Sequence, residues 1–211
     1  MTRPADLPYQ AVVFDLLTAL LDSWTLWNSV AGSADAGLRW RRRYLELTYG
    51  CGAYRPYETL VAEAAADAGL PPGAAEALAA RWDELRPWPE APALLRGLQA
   101  RGLKLGVATN CSIPLGQRAA ARCRVAFDAV VTAEQAGFYK PRAEPYLAVL
   151  AALGTAPERT LFVAGSASDV PGANAVGMPV VWHNRAGLPP RGDATPLLVA
   201  DRLGPLLALA G

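Results

Sequence analysis

The sequence predicts an α/β fold, a doubly wound parallel sheet with a small helical cap domain inserted after the first strand. Short apolar runs, of the kind found in buried parallel strands, alternate along the chain with helical patterns. One long stretch after the first apolar run has helical patterns and no strand pattern. Strands that alternate with helices build a parallel sheet with helices on both faces, so the long stretch is predicted to be an insert.

Five segments have the β-branched and apolar composition of buried strands. They are AVVFDL (11–16), LKLGVAT (103–109), the weaker FDAVVT (127–132), RTLFVAG (159–165) and PVVWH (179–183). Helical patterns at 91–102 and 144–154 lie between them, and the second ends at Gly154, where a glycine typically stops a helix. The segment 185–196 is predicted to be a loop, and 201–211 a short helix or an apolar edge.

Residues 24–88 are the long stretch without a strand pattern. Three helix-like segments, LRWRRRYLELTY, YETLVAEAAADAGL and GAAEALAARWDEL, fill this stretch, and the proline-rich RPWPEAP closes it. We therefore predict a core domain over 1–23 and 89–211 and a helical cap domain over 24–88. Because both connections are expected to pass near Asp15, the cap could act as a lid that excludes water from chemistry.

Composition disfavours several classes of partner. A net charge of +1 and a charged fraction of 18% do not indicate binding to nucleic acid or to an acidic membrane. The basic run RWRRR (39–43) is predicted to be mostly a solvated helix face with one arginine turned inward.

The cysteines and the amino terminus indicate the cellular compartment in which the protein is expected. Three cysteines without CxxC spacing predict a reducing environment, with neither a disulfide framework nor a zinc site. The first ten residues lack the apolar core of a signal peptide, and no uncharged apolar run is long enough to span a bilayer. A cytoplasmic protein is therefore expected.

Polar residues follow the predicted strands, and the carboxyl ends of parallel strands meet at one edge of a sheet, where ligands bind. Asp15 follows the first strand, TNCS (109–112) the second, and Lys140 and Asp169 lie in the loops after later strands. Thr109, Asn110, Ser112 and Asp169 could instead be helix caps, and Lys140 could be a surface lysine. Their convergence on one edge nevertheless predicts a catalytic site.

Other polar residues are predicted to be structural. Asp22 and Ser23 are expected to cap the first helix of the insert. Cys111 is expected to be a packed small residue, because no histidine is nearby to act as its base. The single histidine, His183, follows a strand and is also expected to be structural, which disfavours a Ser-His-Asp triad.

Four segments, FDLLTALLDS, VATNCS, YKP and GSASDVPGA, occur in the order and spacing of the four motifs of the haloacid dehalogenase superfamily. The chain resembles this superfamily over essentially its whole length, including the inserted cap. The first motif commonly reads FDLDGTLLDS, so the chain departs from it at Leu17, Thr18 and Ala19. In phosphatase members the acid at position 17 protonates the leaving alcohol, and a pair of acids in the fourth motif, the first replaced here by Gly165, helps to hold Mg²⁺. Phosphoryl transfer needs both functions and is therefore disfavoured.

Further matches resemble the metal-independent L-2-haloacid dehalogenases. WRRRYLELTY (40–49) is similar to that branch's WRQKQLEYTW, YKPRAEPY (139–146) to its YKPxxxxY, and VWHNRAG (181–187) to its CWINRTG. The resemblance implies a small-molecule carboxylate substrate and no metal or cofactor. Members of the branch often form homodimers, so a homodimer is also an expectation.

The resemblance implies roles for the polar residues. Asp15 would attack the α-carbon of a 2-substituted carboxylate and form an ester that water hydrolyses. Lys140 would keep Asp15 ionised, and Asp169 would orient Lys140 or the water. Arg41 and Asn110 would receive the leaving anion, where negative charge develops.

A further set of residues is implied to bind the substrate. Thr109 and the backbone amides after Asp15 would hold the carboxylate, apolar side chains would form the pocket wall, and Tyr146 would bond within the catalytic cluster. The substrate-binding set comprises Leu16, Leu17, Leu45, Thr109, Asn110, Tyr146 and Ser166.

The chain also departs from the dehalogenase pattern. Ala19, Ala164 and Ser168 stand where the branch has threonine, serine and a pocket tryptophan, and Arg42 replaces a glutamine. A roomier and more cationic pocket is predicted, with space for a substrate other than a simple short-chain haloacid. Two alternatives stay open: a phosphatase with a weak Mg²⁺ site at Asp15, and a catalytically degraded binding protein.

Overall fold

The computed structural model describes residues 8–192 and 195–209. Within them, a six-stranded sheet has all its strands parallel, in the order β3-β2-β1-β4-β5-β6. The strands are β1 (Ala11–Phe14), β2 (Lys104–Thr109), β3 (Ala129–Thr132), β4 (Thr160–Ala164), β5 (Val180–His183) and β6 (Leu198–Ala200). The predicted doubly wound α/β fold is confirmed, and the first strand lies at the centre of the sheet, where the strand order changes direction.

Helices cover both faces of this sheet. They are α1 (Ser23–Ala31), α2 (Ala34–Gly50), α3 (Tyr57–Asp67), α4 (Ala74–Ala80), α5 (Ala91–Ala100), α6 (Ile113–Ala121), α7 (Ala133–Ala136), α8 (Ala143–Leu153), α9 (Asp169–Ala175) and α10 (Leu206–Leu209). Single 3₁₀ turns lie at Trp82–Glu84 and Pro157–Arg159. Strand β6 is absent from the predicted strands, because it has only three residues and none of them is fully buried.

Strand β1 shows how the sheet separates two apolar layers. Its four side chains are fully buried and alternate between the faces. Val12 and Phe14 join the cluster that includes the insert and helices α5 and α6, whereas Ala11 and Val13 join the cluster under α8 and α9. Burial on both faces explains why this strand is a continuous apolar run.

The segment between β1 and α5 folds into helices α1 to α4 and contributes no strand to the sheet. Helix α1 begins as expected, since the Asp22 carboxylate accepts hydrogen bonds from the Thr25 amide and hydroxyl. Three buried aromatic residues of the insert, Trp27, Trp40 and Trp82, belong to the same apolar cluster as Phe14 of the sheet. The insert therefore packs directly over one face, and the domain boundaries at 24 and 88 stay a prediction.

The two connections to the insert run side by side. Leu21 forms an antiparallel bridge with Pro87, and the Asp22 amide donates to the Arg86 carbonyl at 2.8 Å. The Trp88 amide donates to the Leu20 carbonyl at 2.9 Å. This pairing joins the insert to the sheet only a few residues from Asp15. Within residues 8–192 and 195–209, no helix is both long enough and apolar enough to cross a bilayer.

Candidate active site

Asp15 directly follows β1 and begins a π-helical turn, Leu16–Leu20. Its Oδ2 accepts three hydrogen bonds, from the Thr18 amide at 2.9 Å, the Thr18 hydroxyl at 2.7 Å and the Ala19 amide at 3.2 Å. Irregular turns of this kind are frequent at functional sites. The carboxylate is thereby held by its own turn, and Oδ1 is left to face other elements.

Lys140 lies between two carboxylates that come from separate strand ends. Its Nζ donates to Asp15 Oδ1 at 2.9 Å and to Asp169 Oδ2 at 3.1 Å, and the lysine is only 2% exposed. The Tyr146 hydroxyl donates to Asp169 Oδ1 at 3.1 Å. The contacts predicted among these four residues are thus present, and they form a buried hydrogen-bonded cluster.

The electrostatics of the cluster follow from burial and from its single cation. Burial raises the pKa of Asp15, but the Lys140 charge and the hydrogen bonds from Lys140 and Thr18 outweigh burial and hold that pKa below its ordinary value. Burial and the Asp15 charge raise the pKa of Asp169, against the opposing effect of Lys140. Burial lowers the pKa of Lys140, but the two carboxylates reverse this and raise it above its ordinary value. Asp15 is therefore an ionised carboxylate next to a charged ammonium.

Arg41, on α2, reaches the same space from the insert. It is the one arginine of the 39–43 run that is buried, as expected. Its Nη2 donates to the Ser23 hydroxyl at 2.6 Å, and that hydroxyl in turn donates to the Leu17 carbonyl. The guanidinium lies over the Trp24 ring at 4.1 Å from the centroid.

The other terminal nitrogen of Arg41, Nη1, is buried and has no hydrogen-bond partner among the described residues. Burial lowers the pKa of Arg41 to about 10, so the group is a cation at neutral pH. Buried donors are nearly always paired, and a buried cation without a carboxylate partner is costly. Such an atom is suited to bind an anion that enters the site.

Asp15, Lys140 and Arg41 line one cavity of about 90 Å³ between the sheet edge and the insert. Its wall comprises Asp15, Leu17, Thr18, Trp24, Arg41, Tyr44, Leu45, Tyr49, Thr109, Asn110, Lys140, Gly165, Ser166, Asp169 and Leu188. Nine of the eleven predicted site residues are in this wall. The strand ends of β1, β2 and β4 and helix α2 of the insert therefore converge as the motifs predict.

Leu16 and Tyr146 are the two predicted substrate-binding residues outside the wall, and both are fully buried. Leu16 packs in the apolar cluster beneath the insert, because the π-helical turn directs it into the protein. Tyr146 lies behind Asp169, to which it donates its hydroxyl proton. The hydrogen bond of Tyr146 within the cluster agrees with its predicted contact, and substrate binding by Leu16, through its backbone amide, stays a prediction.

Asn110 and Thr109 make contacts that their predicted roles do not include. Asn110 Oδ1 accepts from the Lys140 amide at 2.8 Å, and its Nδ2 donates to the Lys140 carbonyl at 3.1 Å. This pair of bonds holds the loop that carries Lys140. The Thr109 hydroxyl donates to the Cys111 sulfur at 3.3 Å. Anion binding by Asn110 and carboxylate binding by Thr109 stay predictions.

The turn after Asp15 has a hydroxyl at Thr18, although Ala19 lacks the hydroxyl that the common motif has at that position. The common motif has glycine at position 18 and threonine at 19, whereas this chain has threonine and then alanine. The Thr18 hydroxyl reaches Asp15 because Gly165 leaves room for it: a Cβ at Gly165 would lie 2.2 Å from Thr18 Oγ1 and 2.5 Å from the Ala19 amide nitrogen. The hydroxyl donor that the sequence comparison marks as lost is therefore present one residue earlier.

Sequence reasoning missed six residues of the cavity wall, namely Thr18, Trp24, Tyr44, Tyr49, Gly165 and Leu188. The spacing of Arg41, Leu45 and Tyr49, four residues apart on one helix, is the signal that could have identified Tyr49. Ser23, which orients Arg41, was expected only as part of a helix cap. No comparable signal marks Trp24, whose contact with Arg41 depends on how α1 and α2 pack.

Cys111 and His183 lie in buried surroundings that agree with their expected structural roles, whereas Ser112 does not cap a helix. Cys111 is fully buried, and burial raises its pKa to about 12, which leaves a protonated thiol. His183 is buried, its Nδ1 lies 2.9 Å from the Ala19 carbonyl, and burial lowers its pKa. Ser112 precedes α6 but makes no capping bond, since its hydroxyl donates to Glu58 of the insert at 2.5 Å.

A family profile described as haloacid dehalogenase-like hydrolase matches residues 9–177 of the chain. The chain belongs to this family. Among its relatives, the (S)-2-haloacid dehalogenase 4A of Burkholderia cepacia is 30% identical over an alignment of 219 positions, which covers 94% of this chain and 95% of the relative. A dehalogenase solved with an intermediate complex has a TM-score of 0.86 and 26% identity, with 100% of both chains covered.

A third match is the L-2-haloacid dehalogenase of Xanthobacter autotrophicus. It has a TM-score of 0.84 and 25% identity, covering 95% of this chain and 98% of that structure. The similarity extends over the insert as well as the sheet in all three relatives. This member of the haloacid dehalogenase-like family is accordingly a hydrolase of the (S)-2-haloacid dehalogenase-like type.

Proposed function

We propose that the protein hydrolyses the bond between the α-carbon and a halide, or a related leaving group, in a 2-substituted carboxylic acid, through an ester of Asp15 and without a metal. The observation that carries the proposal is the buried, unpartnered Nη1 of Arg41 in the same cavity as the ionised Asp15. A nucleophile and a vacant anion donor in one enclosed space suit a displacement that releases an anion.

In the first step, an oxygen of Asp15 attacks the α-carbon, and the bonding pair leaves with the halide towards Arg41. Oδ2 accepts three hydrogen bonds, whereas Oδ1 accepts one from Lys140, so Oδ1 has more electron density available for attack. The product of this step is an ester of Asp15 and a halide ion. Halide leaves as a stable anion, so no acid is needed where Leu17 contributes only an apolar side chain.

In the second step, water adds to the ester carbonyl carbon of Asp15, and the carboxylate is regenerated as the 2-hydroxy acid departs. One water is consumed for each substrate, and the products are the hydroxy acid, the halide and one proton. Asp169, whose pKa is raised by burial and by Asp15, is placed to accept a proton from this water while Lys140 stabilises the negative charge.

The substrate carboxylate would lie against the sheet edge. Thr109 and Ser166 line the cavity there, and the apolar side chains of Leu17 and Leu45 line it beside them. An apolar wall lowers the local dielectric constant and strengthens the interactions of the charged groups. A homodimer also stays a prediction, for which light scattering of the purified protein is the test.

The direct test is halide release from L-2-chloropropionate and from bromoacetate, with EDTA present. Wild-type protein should release halide, and Asp15→Asn should release at least about 10⁴-fold less, because the neutral amide is not a nucleophile. Near-ultraviolet circular dichroism should show the same fold for the two proteins.

Two results would contradict the proposal. If EDTA abolished halide release, a metal would take part. If Mg²⁺-dependent phosphate release from a generic ester exceeded halide release, the phosphatase alternative would replace the proposed reaction.

A further inference from the structure

A second cavity of about 310 Å³ adjoins the cavity of Asp15, and it is the outer of the two because its wall includes the exposed residues Arg42, Pro189 and Arg191. The two share part of their walls, including Trp24, Arg41, Leu45 and Ser166. The two cavities therefore lie side by side, and the outer chamber is within reach of a long ligand bound at Asp15. The larger volume is the outer one, so the site has more room than the reacting carbon and its carboxylate need.

The outer chamber has two arginines at its mouth, Arg42 from α2 and Arg191 from the loop after β5. The one carboxylate in its wall, Glu46, forms an ion pair with Arg43 at 3.1 Å, and Arg43 itself is not part of the wall. Arg43 also pairs with Asp67, so it offsets the charge of Glu46 only in part. The wall itself carries three cations, Arg41, Arg42 and Arg191, against the one carboxylate of Glu46, which leaves a net positive charge on the chamber wall.

Arg191 is held in place by contacts with neighbouring residues of the chamber. Its Nη1 donates to the Ser168 hydroxyl at 3.2 Å, and its guanidinium carbon lies 5.7 Å from the centroid of the Tyr49 ring. A serine at position 168 is small enough to leave space beside the guanidinium. An arginine that is partly ordered before binding loses less conformational entropy when it binds an anion.

Apolar side chains lie between the reaction centre and this charged mouth. Leu38, Leu45, Leu188 and Pro189 line the chamber together with Trp24. Such a lining suits methylene groups, whereas the mouth suits a negative charge. Carboxylate binding by arginine is favoured because the guanidinium donors match its two oxygens.

We propose that the preferred substrates are 2-substituted acids with a second anionic group at the far end of a short carbon chain, bound by Arg191 and Arg42. This inference rests on the proposed function, and it specifies the class of substrate. Dicarboxylates are the simplest members of that class.

The test compares pairs of 2-bromo acids of equal length. 2-Bromosuccinate, 2-bromoglutarate and 2-bromoadipate are each assayed beside 2-bromobutanoate, 2-bromopentanoate or 2-bromohexanoate, which end in a methyl group. At low ionic strength, kcat/KM for the best dicarboxylate should exceed that of its partner at least about tenfold, and Arg191→Gln and Arg42→Gln should each lower this ratio about threefold to tenfold. The matched control is Arg39→Gln, because Arg39 is exposed on the same helix and lines neither cavity.

A binding measurement separates this inference from the proposed reaction. In Asp15→Asn protein, calorimetric titration with glutarate should show tighter binding than titration with pentanoate, and Arg191→Gln should remove most of the difference. Halide release from L-2-chloropropionate without any preference for dicarboxylates would overturn the inference and leave the proposed function standing. Equal binding of glutarate and pentanoate would overturn it as well.

Discussion

The two walls of the reaction cavity differ in whether their buried charges are paired. On the sheet side, Lys140 is paired with Asp15 and Asp169, and every oxygen of the two carboxylates accepts at least one hydrogen bond. On the insert side, Arg41 is also buried, but among the described residues it has no carboxylate partner and its Nη1 has no acceptor.

This difference suits the two walls to different functions. The paired wall is electrostatically complete, so it can hold a nucleophile in one orientation and one ionisation state without a ligand. The unpaired wall has a buried cation that lacks an anionic partner until a ligand binds. The free-energy cost of burying this cation is offset in part by its contacts with the Trp24 ring and the Ser23 hydroxyl. In the proposed reaction, affinity for the leaving anion would come from this unpaired wall.

Breaking the paired wall should have the largest effect on stability. Lys140→Met would leave two buried carboxylates without their cation, so the free energy of unfolding at neutral pH should fall by about 3–5 kcal/mol. Urea denaturation measures this change. The matched control is Arg43→Gln, which breaks the exposed ion pair with Asp67 and should change stability little. Equal losses in both variants would contradict the view that burial makes the Lys140 pairs different.

The contribution of the paired wall to folding stability should depend on pH. Asp15 has a pKa below its ordinary value of 3.8, so its contribution to stability is present above that value and is lost as pH falls through the lower pKa of the folded state. Lys140 has a raised pKa, so its contribution is present below 10.5 and is lost only as pH rises through its higher folded-state value. Both contributions are therefore present across neutral pH.

Breaking the unpaired wall should affect catalysis more than folding. Arg41→Gln removes the donor for the leaving anion, and kcat/KM for L-2-chloropropionate should fall about 10²–10³-fold. The loss of unfolding free energy should be smaller than in Lys140→Met, because no buried carboxylate is left without its cation. Steady-state halide release measures the effect, with Arg39→Gln as the control. A variant that kept wild-type kcat/KM would show that the unsatisfied donor has no role in turnover.

The smallest expected effect concerns the Thr18 hydroxyl. Thr18→Val removes one of the three hydrogen bonds to Asp15 Oδ2 with little change in shape, so the pKa of Asp15 should rise and kcat should fall about tenfold or less. The acid limb of the kcat/KM profile should move to higher pH. Thr18→Ser restores a hydroxyl and should return the limb towards its wild-type position. An acid limb that Thr18→Val leaves in place would assign the hydroxyl a purely structural role.

The sequence predicts most of the sheet and most of the candidate site because both depend on local patterns. Continuous apolar runs predict five of the six strands, and the polar residues after them predict which side chains meet. Asp15 and Lys140 are 125 residues apart in the chain, but their motifs place each at the same sheet edge. The inward turn of one arginine in 39–43 is likewise a consequence of helical periodicity.

Sequence position alone could not predict which buried polar atoms would have hydrogen-bond partners. The Thr18 hydroxyl reaches Asp15 because the turn is π-helical and because Gly165, on a different strand end, leaves space for it. Tyr146 lies behind Asp169, and Arg41 has a donor without a partner among the described residues, because helices from distant segments pack at particular distances. The sequence by itself thus determined the fold and which polar groups meet at the sheet edge, whereas the tertiary structure decided which charges were paired, since pairing depends on packing between segments that no local pattern describes.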